Sequence, residues 1–216
     1  MKKYILIPLI LILALSACKS NQGEPKTNNN TPEEQPYMMG ARVKEISALP
    51  DANDVAVIVN GSEITKKEIE LEKANAEIHG ESTVKDAILT LLKEKAVEAE
   101  ADRLGISYSN DELAQYIEKT KTIINDNEEA AKPLLSYMDG AGFTVDEYLE
   151  FLKADYALRL KRAALFEKII SGEISSPGFE YSDDHSTEEN VEIYTDMLFE
   201  SAKIEYIDPD IEKLVK

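Results

Sequence analysis

The chain has 216 residues, 24 Lys and Arg against 42 Asp and Glu, a formal charge of −18 and one cysteine. That length is ample for a single hydrophobic core, and the negative charge repels phosphate backbones and anionic headgroups, which argues against nucleic-acid binding and against a body lying flat on a bilayer. One thiol excludes an intrachain disulfide and a thiolate metal cluster.

In chain order, Met1-Lys2-Lys3 precedes an apolar stretch from Tyr4 to Ala17. It is shorter than the ~20 residues a spanning helix needs and suits the apolar part of a secretory signal, so residues 1–17 are expected to be a signal peptide. Leu15-Ser16-Ala17-Cys18 resembles the bacterial lipoprotein lipobox. The resemblance implies that Cys18 becomes the new N-terminus and carries a diacylglycerol, with palmitate among the acyl chains. The alternative is an incidental cysteine beside an ordinary cleavage site. Two or more chains hold much more firmly than one, since each buried methylene contributes about 0.8 kcal/mol. The expected location is a bacterial cell envelope, lipid-anchored through Cys18 on the extracytoplasmic face of a membrane, with the leaflet left open. Removing 17 of the 216 residues leaves 199, and the loss of Lys2 and Lys3 takes the charge from −18 to −20.

Residues 18–36 are expected to be the lipidated cysteine and a disordered tether. Lys19 to Pro36 contains no large apolar residue and cannot offset its ordering entropy. As a flexible coil it reaches roughly 25 Å. Residues 37–216 are expected to form one domain. Val43, Ile46 and Leu49 mark one edge of a short helix, and Val55-Ala56-Val57-Ile58-Val59 reads as a strand ended by the turn pair Asn60-Gly61. Thr65 and Glu68 then have capping-box spacing, which recurs at Thr83 and Asp86, Ser109 and Glu112, Thr144 and Glu147, and Ser186 and Glu189. Five main helices follow: one after Thr65, then about 83–104, 110–124, 144–170 and 187–201. Between the third and fourth, a loop at about 125–132 leads to a short helical turn containing Leu134, Leu135, Tyr137 and Met138. Residues 172–186, rich in Ser, Asp, Glu, Pro and Gly, are expected to be a mobile surface loop. Ala202 to Ile207 alternates polar and apolar residues, as a strand does, before Asp208-Pro209. Two isolated strands satisfy their backbone groups most simply by pairing, so the expected fold is mainly α, closed by a small two-stranded sheet of the first and last strands.

Three segments in this order resemble the N-terminal peptide-binding domain of the SurA and PrsA class of exported peptidyl-prolyl isomerase chaperones. They are Val57-Ile58-Val59-Asn60-Gly61-Ser62-Glu63-Ile64-Thr65, the run from Leu91-Leu92-Lys93-Glu94-Lys95 through Gly105-Ile106 into Ser109-Asn110-Asp111-Glu112-Leu113, and Gly142-Phe143-Thr144-Val145-Asp146-Glu147-Tyr148. The resemblance covers about 55–170, with 188–207 also fitting, and implies a SurA N-terminal-like multi-helix domain that holds unfolded polypeptides. Catalytic members carry a parvulin isomerase domain of about one hundred residues after the long helix. Residues 171–201 are too few for it, and only His79 and His185 are present, so isomerase activity is not expected.

A binding surface is suggested by the long helix, whose apolar residues form two stripes. Val145, Leu149, Leu152 and Tyr156 lie on one, and Phe151, Leu158, Leu165 and Ile169 lie on the other, roughly 140° away at 100° per residue. Either both are core, or the second lines a peptide-binding groove of Tyr137, Met138, Phe143, Phe151, Leu158 and Leu165. No catalytic residue, cofactor or metal site is expected. Asp183-Asp184-His185 reads as a solvated loop, His79 as a helix-end residue, and no phosphate loop, Gly-x-Ser-x-Gly elbow or His-Glu-x-x-His pair occurs. The expected function is a membrane-anchored chaperone without catalysis whose partners are unfolded or newly exported polypeptides. The alternative is a lipoprotein adaptor for one folded envelope partner.

Overall fold

The structure, a computed structural model, describes residues 34–80 and 83–216. The signal peptide, Cys18 and the tether up to residue 33 lie outside the described residues. Among the described residues there are eight helices and three strands: α1 (Gln35–Ser47), β1 (Val55–Val59), β2 (Ser62–Thr65), α2 (Lys66–His79), α3 (Val84–Arg103), α4 (Asn110–Asp126), α5 (Glu128–Ala141), α6 (Val145–Ile170), α7 (Thr187–Glu200), β3 (Ile204–Tyr206) and α8 (Pro209–Val215). The protein is thus mainly helical.

All five hydroxyl caps expected from the sequence form. Thr65, Thr83, Thr144 and Ser186 each make a reciprocal capping box with the acid three residues on, and Ser109 accepts a hydrogen bond from the Glu112 N–H. Each satisfies backbone donors that a helix start leaves orphaned.

The first and last strands pair as expected, antiparallel, with Val57 opposite Tyr206 and Val59 opposite Ile204. The sheet nevertheless has three strands, in the order β2-β1-β3. Asn60 and Gly61 both take positive φ, 50° and 90°, so the chain reverses in two residues and Ser62–Thr65 pairs back onto β1 before α2 begins. The Asn60 side chain also accepts the Lys203 N–H at 2.8 Å, fixing the hairpin tip to the approach to β3.

Three helical segments depart from the sequence reading. The first helix starts at Gln35, inside the last residues assigned to the tether, and has Pro36 in its opening turn, where a missing N–H costs little. The loop expected near 125–132 is largely helix, because Asn127 caps the Ala130 N–H and α5 runs from Glu128 with Pro133 inside it. Finally, Asp208-Pro209 ends the strand but also starts α8, with Asp208 as cap and Pro209 as first helical residue.

Apolar side chains gather in two clusters. The main core joins β1 and β2 to α2, α3, the C-terminal part of α6, α7 and α8, around fully buried Ile64, Ile88, Leu92, Leu165 and Tyr194. The second is smaller: Met138, Tyr148 and Leu152, covered by Tyr116, Ile117, Leu134 and Phe143 from α4 and α5 and the turn before α6. The connection 171–186 has no helix or strand, yet it is tied to the main core. Phe179 lies against Tyr194 with ring centroids 4.9 Å apart. The buried Asn190 amide donates to the carbonyls of Ser182 and Ser186 at 2.9 and 3.0 Å and accepts the Ser182 N–H.

Candidate functional site

α6 passes through both clusters, and none of residues 153–164 between them is buried. That middle stretch faces a polar seam: Arg162 pairs with Glu94 of α3 at 2.6 Å, and the buried Glu98 lies between Lys95, at 3.3 Å, and Arg162, at 3.9 Å. Around it six helices close a ring by successive packing: α1 on α2, α2 on α3, α3 on α6, α6 on α4, α4 on α5 and α5 on α1.

The α5-to-α1 contact depends on two glycines. A Cβ on Gly40 would overlap the Tyr137 carbonyl oxygen, and a Cβ on Gly140 would overlap the Tyr37 carbonyl oxygen. The reciprocity follows from a repeat, Tyr37-Met38-Met39-Gly40-Ala41 and Tyr137-Met138-Asp139-Gly140-Ala141. Each copy places its glycine against the other's tyrosine carbonyl, so the two backbones meet directly. Only a residue without a Cβ permits that approach.

This crossing fixes the backbone of Tyr137, and the Tyr137 ring organises an aromatic platform. Its centroid is 5.9 Å from Tyr148, 6.3 Å from Phe143 and 6.3 Å from Phe151, and Phe143 is 6.0 Å from Phe151. These separations lie in the range where tilted and offset aromatic pairs attract. Beside the platform, Tyr116 of α4 stacks on Tyr156 of α6 at 3.6 Å with an interplanar angle of 10°. Tyr148 is buried beneath, whereas Phe151 is 42% exposed and Leu158, two turns farther along α6, is 38% exposed.

Carboxylates border the rings. Asp155, one turn after Phe151, pairs with Arg159 at 2.7 Å. Burial, followed by the Asp155 charge, pushes the Tyr137 phenol up to about 12. Burial also raises Tyr148, with Tyr137 and Asp155 adding to it. Both tyrosines therefore stay neutral at physiological pH. From α2, Glu72 approaches the same region. Burial raises its carboxyl above the ordinary range, Glu94 and Asp155 raise it further, and the Asn75 hydrogen bond and Arg159 oppose them.

Of the residues assigned to a groove from the sequence, Tyr137, Phe143 and Phe151 come together in the platform, with Leu158 on the same side of α6. Two assignments are corrected. Leu165 is fully buried in the main core, because the C-terminal part of α6 is covered by the elements of that core, and Met138 is 5% exposed at the centre of the second cluster. Tyr148, Asp155 and the glycine crossing were not expected. The repeated Tyr-Met-x-Gly-Ala was the signal that could have revealed the last. Asp183, Asp184 and His185 are exposed, and among the described residues no group of three or more acidic, histidine or cysteine side chains is arranged to hold a metal ion. No described helix is long and apolar enough to cross a membrane.

No family model matches the chain, and no match emerges among curated proteins or solved structures. The open side of α6 presents the Phe151 ring, Leu158 and the Asp155 carboxylate to solvent.

Proposed function

We propose that this protein is a lipid-anchored, extracytoplasmic holding chaperone of the SurA and PrsA kind, without the isomerase domain, that binds unfolded or newly exported polypeptides on the Tyr137-Phe143-Phe151 platform. The observation that carries the reading is the exposure of Phe151, at 42%, although its ring is held in place by Tyr137 and Phe143. A rigid aromatic left uncovered is a preformed anchor, so little ordering entropy is lost when a guest covers it.

The magnitudes favour weak, promiscuous capture. Covering Phe151 and Leu158 contributes at most about 1.5–3 kcal/mol each. Each falls short of the roughly 4 kcal/mol equivalent to a 1 mM dissociation constant, so, less the cost of ordering an unfolded segment, a single contact dissociates well above ~1 mM. Several contacts along one client, and many anchored copies on one membrane, then add by effective concentration.

The test uses the chain from Lys19 onward, which retains every described residue. Two unrelated denatured exported proteins are diluted into near-equimolar protein and their aggregation is followed by light scattering. Suppression of both is expected. If neither is affected while circular dichroism shows the helical fold intact, the chaperone reading is wrong and a dedicated folded partner in the envelope replaces it.

A further inference from the structure

The platform's surroundings bear on which polypeptides it takes, an inference that rests on the peptide-holding reading above. Phe151, Asp155 and Leu158 fall within about 60° of one another around α6, at 100° per residue, so an apolar anchor, a carboxylate and a second apolar anchor form one surface strip. Asp155 remains open to solvent, with its side chain 37% exposed. Glu72 of α2 feels the charges of both Asp155 and Glu94 of α3, so Glu72 and Glu94 add two further carboxylates to the region. The nearby cations are committed, Arg159 to Asp155 and Arg162 to Glu94. Glu72, Glu94 and Asp155 thus leave an excess of one negative charge over these two arginines, on a chain that is itself −18. Aromatic faces add to this, since ring quadrupoles attract ammonium and guanidinium groups.

We infer that the platform selects unfolded segments in which lysine or arginine flanks an aromatic or large aliphatic residue, the apolar side chain covering Phe151 and Leu158 and the cation meeting Asp155. Acidic segments are rejected, because a like charge beside Asp155 repels and would be desolvated as the apolar anchor seats. The carboxylates thereby supply selectivity, and the rings supply most of the affinity.

The experiment titrates the full chain in detergent against three labelled, unstructured peptides by fluorescence anisotropy. They share one central Phe-x-x-Leu and carry Lys, Ser or Glu at the flanking positions. The Lys peptide is expected to bind about tenfold more tightly than the Glu peptide, with Ser between, and the spread should narrow at high salt. Overall charge would give some preference of its own, so two double variants of equal charge change are compared. Glu72→Gln with Asp155→Asn should bring the Lys-to-Glu ratio to within about threefold. Glu180→Gln with Asp183→Asn, on the connection over the main core, should leave the ratio as in the parent. Equal effects of the two pairs, or equal binding of all three peptides, would overturn the selectivity while leaving the platform as a binding site. Failure to bind any peptide would overturn the underlying reading instead.

Discussion

The two halves of α6 carry the same kind of apolar stripe and meet opposite fates. In the C-terminal half Leu165 and Ile169 are 0% and 5% exposed, packed within the main core. In the N-terminal half Phe151, and at the midpoint Leu158, both on the continuation of that stripe, are 42% and 38% exposed. The difference lies in what stands opposite. Sheet, α3, α7 and α8 surround one end, whereas the other end has only α4 and α5, which cover Leu152 and Tyr148 on the adjacent face and leave Phe151 partly exposed. A stable half built on a large core can carry a thin half whose apolar surface is free for a guest, because folding does not depend on covering it.

The largest perturbation should come from the stable half. Leu165→Ala removes a fully buried side chain from the main core and should cost about 2–5 kcal/mol by chemical denaturation, with lost hydrogen-exchange protection throughout the molecule. Gly40→Ala should come next, at about 1–3 kcal/mol, since the added methyl overlaps the Tyr137 carbonyl and one helix must move away. Its exchange signature separates the halves. Protection should fall in α1, α4 and α5 and persist in α3 and α7, and Gly140→Ala should reproduce the pattern. Uniform loss in the glycine variants would mean that the two clusters unfold as one.

These two substitutions also mark what was legible in the sequence. Helix starts were, because a hydroxyl three residues before an acid is a purely local device, and each of the five pairs read as a helix start does cap one. The pairing of the first and last strands followed from backbone bookkeeping. What depends on a distant neighbour was not legible. Leu158 and Leu165 are one heptad apart with identical side chains, and only the packing of remote segments exposes one and buries the other. Pro133 disguised α5 as loop and turn, although its cap, Asn127, was in plain view. Gly40 and Gly140 were not singled out in the sequence, and only the crossing of α1 on α5 shows what they share.

A smaller effect on stability, with a larger one on binding, is expected on the exposed stripe. Phe151→Ala with Leu158→Ala should cost about 1–2 kcal/mol, because both side chains are partly solvated although the Phe151 ring loses its contacts with Tyr137 and Phe143. Suppression of client aggregation should nevertheless fall severalfold. A double variant that folds normally and protects clients as well as the parent would show that the groove is not the binding surface.

The smallest effects test the same contrast within α2, one turn apart. Glu68 sits on the main-core side. Burial would raise its carboxyl, but the Thr65 N–H and Lys95, at 3.0 Å, outweigh it and hold the carboxyl below the ordinary 4.5. A group lowered on folding contributes stability above its unfolded value and loses it as pH falls through its folded value. Glu68→Gln should therefore lower the melting temperature at pH 7 by about 2–4 °C, for a cap and ion pair worth about 1 kcal/mol, with the deficit shrinking below pH 4.5. Glu72 faces the ring and is raised, chiefly by burial. Ionised, it opposes folding at neutral pH, and that cost disappears as pH falls from its raised folded value toward 4.5. Glu72→Gln should raise the melting temperature at pH 7 by about 1–2 °C and have no effect near pH 4. Opposite signs from two glutamates on one helix would show that α2 divides the molecule electrostatically as α6 divides it by packing. Equal signs would mean that the carboxylates beside the platform are as well compensated as those of the core, leaving no uncompensated negative charge to select a cationic guest.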